Sequence, residues 1–458
     1  MSTRWRDRKR PLWLLGLVMP LLPFIAIAGH ATTGLAVWLW IGPIVILGLV
    51  PIVDLIVGLD PANPPQDAIE ALERDRYYRW LTFCFLPLQY AGLAAAMAYL
   101  AASPMGIGDR VGLAVTVGFI GGLGINTAHE LGHKREASEK WLAKIALAQC
   151  AYGHFSIEHN RGHHVRVATP EDPASSRIGE SFYRFWPRTV FGSLASAWSI
   201  ERDRLHRRGQ RLWRIDNDVL NAWLLTVVVW AVLLLWLGPV IAPYLLIQAF
   251  IGITLLEAVN YLEHYGLLRR RVGEPGRERW ERVDPSHSWN SNNLATNVLL
   301  YHLQRHSDHH AFPIRRYQAL RDHAEAPALP TGYAGMILLS LVPPLWRRVM
   351  DPRVAAHYSG DMSRANIDPR VRSAVMARYA EHPATDPLMP SPAIVGPRPT
   401  AEAQPASAHA CPGCGYTYRV SEGAPREGFP PGTRWESVPD DWCCPDCGVR
   451  EKVDFIAA

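Results

Sequence analysis

The chain has 458 residues, enough for two or three domains, and a mean hydropathy of −0.03. That average hides a segregation of long uncharged runs from segments dense in Lys and Arg, which excludes a uniformly soluble protein. The net charge of +5 is also divided: residues 411–458 hold five Lys/Arg against eight Asp/Glu, net −3, leaving +8 on the remainder.

Residues 11–29 (PLWLLGLVMPLLPFIAIAG) carry no charge, 34–58 carry only Asp54, and 80–102 and 111–128 carry none. Two further apolar runs lie at 219–239 and about 241–262, the second interrupted by Glu257. Each approaches the roughly 20 residues a helix needs to cross a bilayer, so an all-α integral membrane bundle of six transmembrane helices is expected. The first run has a basic start, but it is longer than a signal-peptide core and a second span follows almost at once, so it reads as a retained helix. The stretch 333–345 is too short to span and ends in Pro-Pro; it belongs at the interface or packed on the bundle, with 346–380 as an amphipathic helical edge.

Lys and Arg crowd the N-terminus (Arg4, Arg6, Arg8, Lys9, Arg10), the segment 59–79 and the long segment 134–216, whereas the connections near 30–33 and 239–242 have none. The positive-inside rule then puts both termini, and the ends of spans two, four and six, in the cytoplasm of a bacterial-type inner membrane. Residues 381–410 hold seven prolines, much alanine and few large apolar groups, the composition of a linker.

Thirteen of the 18 histidines lie between 129 and 310. HELGHK places His129 and His133 at i, i+4. EHNRGHH places His159, His163 and His164 at i, i+4, i+5, and LQRHSDHHA places His306, His309 and His310 at i, i+3, i+4. His264 stands alone in NYLEHYG at the end of the sixth span. Helical spacings of this kind turn several imidazoles to one face, and the predicted topology brings all four clusters to one depth as a cytoplasmic histidine-rich cap. Nine imidazoles exceed the three protein ligands of a catalytic zinc and suit two metals with four or five ligands each. Imidazole alone does not choose among zinc, copper, iron and nickel.

Carboxylates stand close by. Glu257 is an ionisable group inside a span, which is costly and usually functional. Glu158, Glu263 and Asp308 each adjoin a histidine and are expected to orient it through its second ring nitrogen. Glu130 would be the general base if HELGH were a zinc hydrolase motif; among nine clustered histidines it reads as a supporting residue. His154, His287 and His302 lie outside the tight spacings and read as supporting or structural.

Cys84 and Cys150 lie alone in apolar surroundings, while the other five cysteines fall between 411 and 447. In a reducing cytoplasm that clustering argues for metal rather than disulfide. CPGC at 411–414 and CPDC at 444–447 alone fit a zinc ribbon or an iron site. The intervening text, CPGCGYTYRV and PPGTRWESVPDDWCCPDCG with Tyr416, Tyr418, Trp435, Trp442 and Phe455, resembles rubredoxin. That resemblance implies one iron on Cys411, Cys414, Cys444 and Cys447, carrying one electron at a time. Cys443 departs from the pattern as a fifth thiol beside a ligand. A tethered electron carrier fits oxygen activation and not peptide hydrolysis, which consumes no electrons.

With all four histidine motifs in order, and with ATPEDPASSR and HSWNSN between them, the first roughly 380 residues resemble the membrane-bound alkane 1-monooxygenases. The resemblance implies a non-haem di-iron centre held by His129, His133, His159, His163, His164, His264, His306, His309 and His310. It also implies insertion of one atom of O2 into a terminal methyl group of a linear alkane. Phe312 departs from the pattern, where a polar residue is common. The implied organisation is a hydroxylase domain at 1–380, a linker at 381–410 and a rubredoxin domain at 411–458. No Gly-rich dinucleotide fingerprint is present, so a separate NAD(P)H-dependent flavin rubredoxin reductase is expected as partner, with membrane lipid and without nucleic acid. An acidic carrier and a basic face attract at low salt, although the positive-inside rule alone would place the same basic residues there. The rival readings are a membrane fatty-acyl desaturase or lipid hydroxylase, a zinc metalloprotease, and a non-enzymatic electron relay.

Overall fold

The computed structural model describes residues 5–60, 62–273, 275–276, 278–381, 408–440 and 442–458. Most of the Pro/Ala-rich segment, 382–407, lies outside the described residues. Six helices are long and apolar enough to cross a membrane: Leu12–Thr33, Ala36–Val57, Arg76–Ala102, Ile107–Gly132, Asp218–Leu237 and Pro239–Glu263. They begin and end on recognisable signals. The first closes on Gly34 in the left-handed region (φ 70°), the third starts on Asp75, whose carboxylate accepts from the Tyr77 N–H, and the fifth starts on Asn217, which caps Val219 and Leu220.

The fourth span is the centre of the bundle, with 78% of its most apolar stretch buried against 17% for the second. Its glycines allow the sixth span to approach closely. A Cβ on Gly118 would lie 2.6 Å from that of Ile251, and one on Gly122 would lie 2.9 Å from Leu255. Large apolar side chains such as Leu55, Ile56, Leu235 and Trp236 point outward from the bundle, as they must where the solvent is lipid.

The segments between spans four and five, and after span six, fold over one end of this bundle. A helix at Ala137–Ala148 leads to the turns that carry His159–His164, and a long helix at Phe182–Arg207 braces them. After the sixth span comes a two-stranded hairpin, Arg271–Val272 with Arg279–Trp280, and then the short helices Leu294–Leu299 and His306–Ala311. The stretch expected at the interface forms a helix at Tyr333–Ser340 that packs on the bundle through Tyr333, Met336 and Ile337. The next helix, Pro343–His357, buries Trp346 and Met350 against Tyr261 and Tyr265 at the end of span six. Full burial of side chains this size stabilises by about 1.5–3 kcal/mol each, which locks that span end in place.

The C-terminal unit is a three-stranded antiparallel sheet, with Ala408–Ala410 between Thr417–Arg419 and Ile456–Ala457. Its first strand lies upstream of Cys411, inside the segment assigned to the linker, because the sheet needs a central strand that the cysteine loop cannot supply. The expected aromatics form its core: Trp442 touches Tyr416, Tyr418, Trp435 and Phe455, with ring centroids 5.6–6.3 Å apart.

Candidate metal centre

All nine motif histidines are buried and converge in two adjacent groups. His129, His133, His159, His164 and His309 form one, and His163, His264, His306 and His310 the other. Within each, one ring nitrogen per residue lies within 4.8 Å of every other. The groups abut, with the rings of His164 and His310 4.3 Å apart.

The partition follows local backbone geometry. His129 and His133 share a group because the fourth span is α-helical there, and His306 and His310 share one for the same reason. Residues 159–163 instead form a π-helical turn, which widens the turn and brings i and i+5 to one face. His159 therefore joins His164, while His163 turns to the other group. Of the two spacings the motif offers, i, i+4 and i, i+5, the turn brings the second to one group.

The donor set fits two cations. The Nε2 atoms of His129, His133 and His163 are buried with no hydrogen-bond partner among the described residues. Other pairs meet nitrogen to nitrogen, at 3.1 Å for His164 with His159 and with His309, 2.9 Å for His310 with His306, and 3.2 Å for His264 with His306. Rings crowded around one point cannot all satisfy one another, and a shared metal resolves the conflict. Burial, reinforced by neighbouring imidazoles, holds His133, His159, His164, His306, His309 and His310 well below the ordinary histidine pKa. They are neutral, as metal ligation requires.

The carboxylates divide differently from expectation. Glu263 Oε1 lies 3.2 Å from His306 Nδ1, but the two atoms make no hydrogen bond, so the carboxylate stands beside that ring without anchoring it. Glu158 instead accepts from Arg166 and Ser196, and burial lifts its carboxyl to about 7. Asp308 accepts from Arg315, His323 and the Arg321 N–H, so it braces the chain after the motif and turns away from its histidine neighbours. Sequence neighbours on a helix point about 100° apart, which is why adjacency did not become contact. Glu257 accepts from Tyr152 at 2.7 Å and Asn260 at 3.1 Å. Glu130 pairs with Lys134 at 2.9 Å and receives the Tyr317 N–H at 3.3 Å, so it is engaged and not poised as a hydrolytic base.

Asp172, within ATPEDPASSR, was not singled out from sequence. It is fully buried and accepts the His163 Nδ1–H at 2.9 Å, with Ser175 Oγ at 2.6 Å fixing its orientation. Although burial opposes it, this carboxylate raises the His163 pKa. An acidic residue nine positions beyond a ligand was the available signal. His264 is oriented by a backbone group instead, donating from Nδ1 to the His287 carbonyl at 3.1 Å. His302 lies outside both groups, held by Lys9 and the Tyr317 carbonyl.

On the membrane side an apolar pocket opens between spans one, two, four and six. Its walls include Met19, Val50, Phe119, Leu255 and Val259, and its inner end is formed by His129, His159, Glu263 and His306. Both histidine groups therefore face one apolar chamber. Phe312 lies away from it, half-exposed under the Arg315 guanidinium at 4.1 Å.

The four sulfurs of Cys411, Cys414, Cys444 and Cys447 also lie within 4.8 Å of one another, and Cys443 is outside that group. Burial pushes the Cys443 thiol up, away from the thiolate form. Both cysteine loops face the membrane domain. Gly415 abuts Arg282, and a Cβ on Gly448 would meet Ile314 at 3.3 Å. Glu451 pairs with Arg207 at 2.5 Å and Glu427 with Arg135 at 3.5 Å.

Such an arrangement defines a multi-pass membrane metalloprotein with its own one-electron donor. Comparison with known families agrees: the model described as fatty acid desaturase matches residues 110–340, and the rubredoxin model matches 408–455. Alkane 1-monooxygenase 1 of Alcanivorax borkumensis is 45% identical over 366 residues, 80% of this chain and 90% of the relative. The alkane 1-monooxygenases of Acinetobacter baylyi and Ectopseudomonas oleovorans are each 45% identical, over 82% and 81% of this chain and 93% and 92% of theirs. The chain belongs to the alkane 1-monooxygenase family, extended by a rubredoxin domain.

Proposed function

We propose that the protein hydroxylates the terminal methyl group of medium-chain linear alkanes to give 1-alkanols. Overall, RH + O2 + 2 e− + 2 H+ gives ROH + H2O. The observation that carries this reading is the apolar chamber that ends on both histidine groups. We assign one iron to His129, His133, His159, His164 and His309, and the other to His163, His264, His306 and His310. Bound iron supplies the oxygen activation that side chains lack.

The protein's own part is binding, orientation and exclusion of water. An alkane offers no hydrogen bond, so the chamber holds it by dispersion and by release of ordered water. Chain length is then selected by the space available, and one methylene discriminates by only about 1–3 kcal/mol, so several lengths are accepted. The substrate enters sideways from the lipid. Asp172 accepts the His163 Nδ1 proton and so aims the opposite nitrogen of that ring into the centre. Cys411, Cys414, Cys444 and Cys447 would hold one iron, which would supply electrons one at a time and would need recharging for the second. An NAD(P)H-dependent flavin reductase recharges it. The positive-inside pattern places the termini, the histidine centre and the rubredoxin domain on the cytoplasmic side of the inner membrane. Residues 1–380 form the hydroxylase and 381–410 the tether, apart from the strand at 408–410.

The test is conversion of octane by the iron-loaded protein with reduced donor. Formation of 1-octanol supports the reading, an alkene product would move it to the desaturases, and no oxidised product from any medium-chain alkane would overturn it.

A further inference from the structure

Among the contacts between the two domains, one residue joins the cysteine loops directly to a histidine motif. Val165 follows His164, a member of the five-histidine group, and its side chain packs against the buried cluster of Cys411, Cys444, Cys447 and Val449. Its carbonyl accepts two guanidinium hydrogen bonds, one from each domain: Arg269 at 2.9 Å and Arg450, three residues beyond Cys447, at 3.3 Å. Arg269 is buried and further tied to the Glu281 carbonyl at 3.1 Å, so it fixes Val165 from the membrane-domain side. Ile314 meets the glycine after Cys447 nearby, so the cysteine loop is seated on both flanks.

From this geometry we infer that Val165 is the electron entry point: it forms the contact between the tetrathiolate iron site and the histidine centre and hands each electron to the five-histidine group through His164. The inference rests on the proposed function above. The path runs from the cysteine sulfurs through this packed cluster to the Val165 side chain, and then through covalent bonds to the neighbouring imidazole. For each electron that crosses, the tetrathiolate iron goes from ferrous to ferric and one iron of the five-histidine group from ferric to ferrous. No proton need cross the contact. The Arg269 and Arg450 bonds hold Val165 in register, which makes both of them positioning residues for transfer.

The five-histidine group is the first acceptor. It adjoins the four-histidine group at several points: His163 and His164 are neighbours in the chain, as are His309 and His310, and the His164 and His310 rings lie 4.3 Å apart.

The test uses the full-length, iron-loaded protein. Its rubredoxin site is reduced and mixed rapidly with oxygen and octane, and the return of the ferric tetrathiolate colour is followed. Val165→Gly, which opens a gap in the contact, is expected to slow that return several-fold, and Val165→Ile to preserve it. Arg450→Met, which leaves the membrane domain untouched, is expected to slow it as well. The second readout is 1-octanol from protein reduced throughout by dithionite and a small mediator, which bypasses the rubredoxin contact. That yield is expected to stay near the unsubstituted level in Val165→Gly. Unchanged colour return in both Val165→Gly and Arg450→Met would overturn the inference, as would equal losses of colour return and mediator-driven yield. No 1-octanol from the unsubstituted protein under either reductant would instead overturn the functional reading itself.

Discussion

Asp172 shows how much one buried carboxylate can decide. Its hydrogen bond fixes which nitrogen of His163 faces the centre, and the Ser175 hydroxyl and the Ala174 N–H hold the carboxylate in turn. Asp172→Asn keeps the shape but weakens the acceptor, and loss of such support typically lowers metal affinity about 10–100-fold. The expected outcome is selective loss of iron from the four-histidine group on dialysis against a chelator, with the five-histidine iron retained. Retention of both irons would contradict the role given to Asp172. Glu130 predicts the opposite. Paired with Lys134, it is structural, so Glu130→Gln should cost stability without creating or abolishing any peptide-bond hydrolysis. A hydrolytic activity lost on that substitution would restore the protease reading.

At the scale of elements, the segment before the last histidine motif is held under strain. Tyr301 and His302 both sit in the left-handed region, at φ 52° and 54°, which costs non-glycine residues about 1 kcal/mol or more each. The anchor is Asp60, just after the second span. It binds Lys9 and accepts from Arg305 at 2.9 Å, and Arg305 also donates to the Leu320 carbonyl at 2.8 Å. Asp60→Asn leaves two buried cations facing each other, and breaking a buried pair in this way typically costs about 3–5 kcal/mol. A sharply lowered melting temperature, with iron lost from both groups because His306, His309 and His310 shift together, is expected; an unchanged melting temperature would refute the anchor.

Asp351, in the helix at Pro343–His357, predicts a pH effect. Burial raises its carboxyl to about 6, while the Tyr265 hydroxyl donates to it at 2.8 Å. Between about pH 4 and 6 the folded form keeps a proton that the unfolded form releases, so stability falls as pH rises through that window, by up to about 3 kcal/mol. Above pH 6 the buried charge stays and so does its cost. Asp351→Asn should therefore raise the melting temperature at pH 7.5 and have much less effect near pH 4.5. Equal effects at both values would show that the buried charge carries no such cost.

For the whole molecule, the sequence was most legible where one physical requirement dominates. Spans follow from the length of uncharged runs, and eight of the nine histidines and the four cysteines follow from ligand chemistry at short spacing, whereas His264 stands alone in its motif. Less legible were contacts made by tertiary packing. The π-helical turn at 159–163 separates His163 from His159, Asp172 reaches His163 from a loop, and Lys9 meets Asp60 only through the fold of the N-terminal segment. Charge docking of the rubredoxin domain was open on composition, and the Arg207–Glu451 and Arg135–Glu427 pairs give it a structural basis. Both pairs lie at the rim, where each is worth about 0–1 kcal/mol. Raising the salt concentration should therefore slow electron delivery only modestly.

The central claim is that two histidine-held irons, fed by the attached rubredoxin, place one oxygen atom from O2 on an unactivated methyl group. The most direct test is turnover of octane under 18O2 with the reduced, iron-loaded protein, followed by mass spectrometry of the alkanol. The account predicts 1-octanol carrying one 18O atom, with two electrons withdrawn from the donor per alkanol. Unlabelled 1-octanol, or donor oxidation without labelled product, would contradict it.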